Sequence, residues 1–118
     1  MQPEKLSMQP DARKYLLDAL NACEAITTFT RQVLLEDYSA NLLLRSAVER
    51  QLEILGEAFS QLDNLEPEYR HQYPDMGKII GMRNRIIHGY DSVDDAIVWD
   101  AVKYHIPKLT EWLSSLYL

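Results

Sequence analysis

Leu44, Val48, Leu52, Leu55, Phe59 and Leu62 recur at intervals of three and four residues, the spacing of one face of an α-helix. A second stripe, Leu43, Ala47, Arg50, Ile54 and Glu57, runs beside it. Two neighbouring stripes give the helix predicted over 39–62 more than one packing partner, and a second copy of the chain is one candidate. Strand-type alternation is nearly absent, and Leu and Ala dominate. The chain therefore reads as all-α, a bundle of four to five helices that dimerises through its helices. At 118 residues it has the size of one domain, predicted over 1–118 with 1–9 a flexible lead.

The remaining helices follow from local signals. Leu16, Ala19, Leu20, Cys23 and Ile26 line one face of a helix that starts near Pro10-Asp11 and weakens at Thr27, Thr28 and Thr30. Residues 34–38 read as a short connector, and 63–74 as a polar connector with about one helical turn. Asp75 has the character of an N-cap for a helix from Met76 to His88, and Gly89 stands where glycine commonly follows a helix end. Ser92 and Asp95 resemble a capping box for a last helix that points Ile97, Val98, Ala101, Val102, Leu109, Trp112, Leu113 and Leu116 inward. Pro107 should kink it.

Composition removes several function classes. Twelve Lys and Arg against 18 Asp and Glu leave a net charge of −6, a poor general binder of nucleic acid, so such a role needs a local basic patch or assembly. Hydrophobic residues at 47% and charged residues at 25% are globular proportions. Apolar runs are short, such as Leu42-Leu43-Leu44, far below the ~20 residues that span a membrane. Met1-Gln2-Pro3-Glu4-Lys5 has no apolar signal region. A single cysteine excludes an intrachain disulfide and a Cys-based zinc site, in keeping with the cytoplasm.

Chemistry concentrates in Arg83-Asn84-Arg85-Ile86-Ile87-His88-Gly89-Tyr90. On a helical wheel Arg83 falls among Met76, Ile79, Ile80, Ile86 and Ile87, so its charge must be paired or must line a polar cleft. His88 points roughly 140° away from Arg83 on an ideal helix, so the two cooperate only through fraying or through a second chain. Asn84, four residues before His88, can orient the imidazole, and Tyr90 lies just past the glycine. A fixed guanidinium and a group that titrates near neutrality suit phosphate chemistry. No acidic cluster with metal-ligand spacing accompanies them, which favours metal-independent scission of RNA, with a dimer supplying two histidines. Two other readings stay open. Arg83 can be a structural ion pair to Glu53 or Glu57, with His88 only complementing the helix dipole, or it can hold a phosphate that is never cleaved. His71 and His105 read as surface residues, Cys23 as core, and Trp99 and Trp112 as packing.

At these residues the sequence resembles the HepT-like HEPN family, the helical toxins of HepT–MntA toxin–antitoxin pairs. Its Arg, four residues, His, any residue, Tyr signature is met by Arg83, His88 and Tyr90. Residues 49–58, Tyr73-Pro74-Asp75, Ile97-Val98-Trp99-Asp100 and Ile106-Pro107 resemble the family too, over about residues 11–115. The resemblance implies a cytoplasmic dimeric ribonuclease that needs no cofactor and no metal, with Arg83 and His88 catalytic. It implies an MntA-like nucleotidyltransferase antitoxin as partner, possible larger hetero-oligomers with it, and transfer of AMP to Tyr90. Asn84, Arg85, Glu57 and Arg50 are supporting residues in this reading, with Lys78 and Lys103 helping to gather positive charge at the cleft. The alternative is a non-catalytic nucleotide-binding or partner-binding subunit of a minimal nucleotidyltransferase complex.

Overall fold

A computed structural model describes residues 10–89 and 93–118. The described residues contain no strand. Four main rods make the bundle: α1 (Pro10–Thr30), α3 (Leu42–Leu65), α5 (Met76–His88), and a last rod made of α6 (Asp95–Asp100), a π turn (Ala101–His105) and α7 (Ile106–Ser114). Two short helices, α2 (Leu35–Ala40) and α4 (Glu68–Gln72), sit in the connections. The predicted lead 1–9 and the predicted cap Ser92 lie outside the described residues.

α3 is the central rod, flanked by α1 on one side and α5 on the other. Its stripe Val48, Leu52, Leu55, Phe59 and Leu62 is fully buried against Leu16, Ala19, Cys23 and Ile26 of α1. The helix starts at Leu42 rather than 39 because Asn41 caps it, its Oδ1 accepting from the Leu44 amide at 3.0 Å. The second stripe is less uniform than its pattern, since Leu43 is 81% exposed.

α1 ends at Thr30, where Thr27 and Thr30 donate back to the carbonyls of Cys23 and Ile26. Gln32 then takes a left-handed φ of 60°, turning the chain without a glycine. The segment read as a connector over 34–38 is instead mostly α2. Tyr38 fixes it there, fully buried with its ring centroid 5.0 Å from that of Trp99. Tyr73 likewise anchors the later connector, its ring stacked on Trp112 at 5.3 Å. Arg70 grips Asp63 with two hydrogen bonds of 3.0 and 2.9 Å, and these hold the carboxyl of Asp63 below the usual carboxylate range.

Asp75 occupies the N-cap position of α5, but its side chain makes no capping bond; it faces Lys78 and His105 instead. At α6 the cap is Asp94, whose Oδ1 accepts from the Ala96 amide at 2.8 Å. Ile97, expected inside, is 41% exposed. Pro107 follows a π turn in the last rod. Its missing N–H and its ring conflict with a regular turn behind it, and the chain answers with the π turn, where the Ile106 N–H reaches Ala101 O. Beyond it Ile106, Leu109 and Leu113 return to the core.

Candidate functional site

α5 meets α3 at Gly56. A Cβ there would lie 2.8 Å from Arg83 Cγ, closer still to Arg83 Cβ, and 3.3 Å from Ile79 O. Glycine therefore makes the notch in which Arg83 crosses α3. Met76, Ile79 and Ile86 seal the flanks of that contact, as the wheel predicted, while Ile87 is partly exposed.

The guanidinium is held on two sides. Nη2 donates to Glu57 Oε2 at 2.6 Å, and Nη1 donates to Asn84 Oδ1 at 2.9 Å. Nε is buried with no hydrogen-bond partner. Glu57 is steadied in turn by Gln61, whose Nε2 donates to Oε1 at 2.9 Å. The pair is not sealed, since the Arg83 side chain is 25% exposed and Glu57 is 46% exposed. Water reaches it, so the contact adds about 1 kcal/mol or less to stability and can be exchanged for a ligand. Of the two acidic partners open in the sequence, Glu57 takes Arg83, and Glu53 pairs with Arg50 at 3.0 Å.

Arg83 lines a cleft of about 630 Å3 between α1, α3 and α5, with Lys14, Tyr15, Arg50, Glu57 and Gln61. The α1 contribution was missed in the sequence. Lys14 and Asp18 form an i,i+4 pair at 2.9 Å on the edge of the α1 stripe, which reads as an ordinary solvated pair until α1 is docked. Their hydrogen bond raises the Lys14 ammonium above its ordinary value.

His88 ends α5, exposed, and does not line the Arg83 cleft. Asn84 spends its carbonyl oxygen on Arg83 rather than on the imidazole. Gly89 closes the helix, its N–H donating to Arg85 O at 2.8 Å, with a φ of −124° that any residue could adopt. Tyr90 lies outside the described residues. The expected gathering of positive charge at one cleft is not what the structure shows. Arg50 and Arg83 line the cleft above, Lys78 and Arg85 line a separate cavity across α5, and Lys103 lies over the Trp99 ring at 4.8 Å. The cause is the helical period, which puts Arg83 and Arg85 on opposite flanks.

Cys23 is buried, and burial pushes its thiol up to about 12, a core residue rather than a nucleophile. Among the described residues no group of three His, Cys, Asp or Glu is placed to hold a metal ion, and no helix is long and apolar enough to cross a membrane.

The class is that of small all-α bundles, here with α5 carrying Arg83 across the central helix and ending at His88. The chain belongs to the family described as ribonuclease HepT-like, whose family model matches residues 19–116. It is 35% identical over 104 residues to "Probable ribonuclease HepT" of Thermococcus cleftensis, covering 86% of this chain and 92% of that protein. It is 32% identical over 101 residues to "Putative RNase MJ1380" of Methanocaldococcus jannaschii, covering 84% of this chain and 90% of that one. No solved structure matches.

Proposed function

We propose that this ribonuclease is the toxin of a HepT–MntA-like pair, a cytoplasmic homodimer that cuts RNA through Arg83 and His88 and is silenced by AMP transfer to Tyr90. The observation that carries the reading is the setting of Arg83. Its position is fixed by the Gly56 notch, yet its charge stays partly open to a cleft large enough for part of a nucleotide. His88 points to another flank, which suits a site completed by a second copy.

In this mechanism His88 of one copy takes the proton of a 2′-hydroxyl. The 2′-oxygen attacks phosphorus and the bond to the 5′-oxygen breaks. His88 of the other copy, protonated, gives its proton to that leaving oxygen. The products are a 2′,3′-cyclic phosphate and a 5′-hydroxyl end. Arg83 leaves Glu57 to stabilise the charge on the phosphoryl oxygens. In silencing, the Tyr90 phenol attacks the α-phosphorus of ATP and pyrophosphate departs. Each added AMP brings a negative charge and bulk two residues from His88, which repels incoming RNA.

The test is RNA cleavage and growth inhibition by wild type, His88→Ala and Arg83→Ala, with thermal unfolding as control. Intact mass is measured with and without the nucleotidyltransferase, and with Tyr90→Phe. Folded variants that lose both activities, and an AMP increment lost in Tyr90→Phe, are expected. Folded variants that still cut RNA would sink the catalytic assignment. The 2.6 Å Glu57 contact favours a second reading, a structural ion pair. That reading predicts that Arg83→Ala lowers stability and leaves cleavage intact.

A further inference from the structure

Across α5 from Arg83 lies a second cavity of about 410 Å3, inside the range of ~300–1,000 Å3 typical of small-ligand sites. Lys78, Gly81 and Arg85 face it from α5, and Ile97, Asp100 and His105 face it from the last rod and its π turn. Three observations set it apart from ordinary surface. The Arg85 guanidinium makes no ion pair or side-chain hydrogen bond with any described residue, unlike the cations of the Arg83 cleft. His105 lines the cavity with its Nδ1 buried and without a hydrogen bond, 3.8 Å from Asp75 Oδ2. A Cβ at Gly81 would meet nothing within 4 Å, so that wall is open space rather than packing.

Arg85, on the cavity wall, and His88 share one flank of α5. Arg85 and His88 are i,i+3 neighbours, about 60° apart on the wheel, whereas Arg83 and His88 are about 140° apart. A strand whose bond is cut at His88 therefore passes along the Arg85 flank.

We propose that this cavity is a subsite that holds a phosphate of the RNA strand away from the bond being cut, a proposal that rests on the ribonuclease reading. Arg85 and Lys78 take the phosphate oxygens and His105 supplies a further contact. Asp75 faces Lys78 at 3.6 Å and stays behind the imidazole. The Asp100 carboxylate repels a second phosphate but accepts a hydrogen bond from a ribose 2′-hydroxyl, which favours RNA over DNA.

The experiment uses the full chain, a short fluorescein-labelled single-stranded RNA read by anisotropy, the DNA of the same sequence, and a dinucleotide too short to reach the cavity as a cleavage substrate. Gly81→Leu fills the cavity without touching a charge, and Lys78→Ala removes one contact. Each should weaken RNA binding about tenfold, the loss expected for a charge-assisted contact, and Gly81→Leu should leave dinucleotide cleavage unchanged with thermal unfolding unchanged or slightly raised, since leucine favours the helix over glycine. Wild type should bind RNA more tightly than DNA, with the preference lost in Asp100→Ala, which removes the acceptor. RNA binding by Gly81→Leu equal to wild type overturns the subsite, and dinucleotide cleavage persisting in that case leaves the ribonuclease reading standing. A wild type that cleaves nothing, while Gly81→Leu still loses RNA binding, overturns the ribonuclease reading and leaves the subsite. 5′-AMP binding that is lost in Gly81→Leu and does not compete with RNA assigns the cavity to a free nucleotide and overturns the RNA assignment.

Discussion

Gly56→Ala adds one methyl group at the point where α5 crosses α3. The new Cβ would stand 2.8 Å from Arg83 Cγ, with Arg83 Cβ nearer still. Carbon atoms in contact need about 3.5 Å, so the helices must part by at least ~0.7 Å. The atoms in the way belong to the fixed base of the arginine side chain, not to its flexible tip. Overpacking of this kind costs about 1–3 kcal/mol. Replacing glycine by alanine inside a helix returns up to ~1 kcal/mol of propensity. The net expectation is a loss of about 1–2 kcal/mol, a fall in Tm of roughly 4–8 °C for a chain of this size. Activity should fall further than stability, because a shift approaching 1 Å in a positioned group can cost about 100-fold. RNA cleavage is measured on Gly56→Ala alone, and thermal unfolding on Gly56→Ala in the wild-type, Arg83→Ala and Arg83→Gly backgrounds. In Arg83→Ala the Cβ remains and the clash persists. In Arg83→Gly it disappears, and Gly56→Ala should become neutral or stabilising. Equal effects of Gly56→Ala in the wild-type and Arg83→Gly backgrounds would refute the notch, since residues in contact must couple.

Tyr38→Phe should be neutral or stabilising by up to ~1 kcal/mol in chemical denaturation, because the buried hydroxyl has no hydrogen-bond partner while the ring contact to Trp99 is kept. A clear loss of stability would mean that the hydroxyl has a partner. In Arg70→Ala the Asp63 carboxyl should titrate upward by NMR toward its ordinary value of 3.8, since its depression comes first from the Arg70 hydrogen bond. Because the folded value is the lower one, this pair supports the fold fully above the unfolded carboxylate range. Its support is lost as pH falls through the folded value, so the variant should lose the wild type's advantage at neutral pH and approach it in acid.

The long elements were legible because each carries both a stripe and an end signal. α5 runs from Met76 to His88 as Asp75 and Gly89 suggested, although neither supports its end in the expected way: Asp75 makes no side-chain cap and Gly89 keeps a negative φ. α2 was not legible. Six residues are too few for a period to show, and what holds them is the distant Trp99 ring. The Arg83 environment was half legible. Its apolar surroundings required a partner, and Glu57 was one of two candidates, but choosing it needed the contact point at Gly56. The cleft's α1 wall and the Asp75–His105 approach join residues too far apart in sequence for any local pattern. The scattering of Arg83 and Arg85 was already implied by the wheel, and only the assumption that positive charge collects in one place concealed it.

The π turn has a consequence for how this chain tolerates change in length. Everywhere else in the last rod, removing one residue would rotate all that follows by about 100° and swing Leu109 and Leu113 off the core. Between Ala101 and His105 the backbone already carries one residue more than a regular turn requires. A deletion there would tighten the turn and keep both halves in phase, but it would set the Pro107 ring against a regular turn. α6 and α7 are thus phased independently, and the π turn is the one place in the rod where a residue can be lost without rotating α7 off the core.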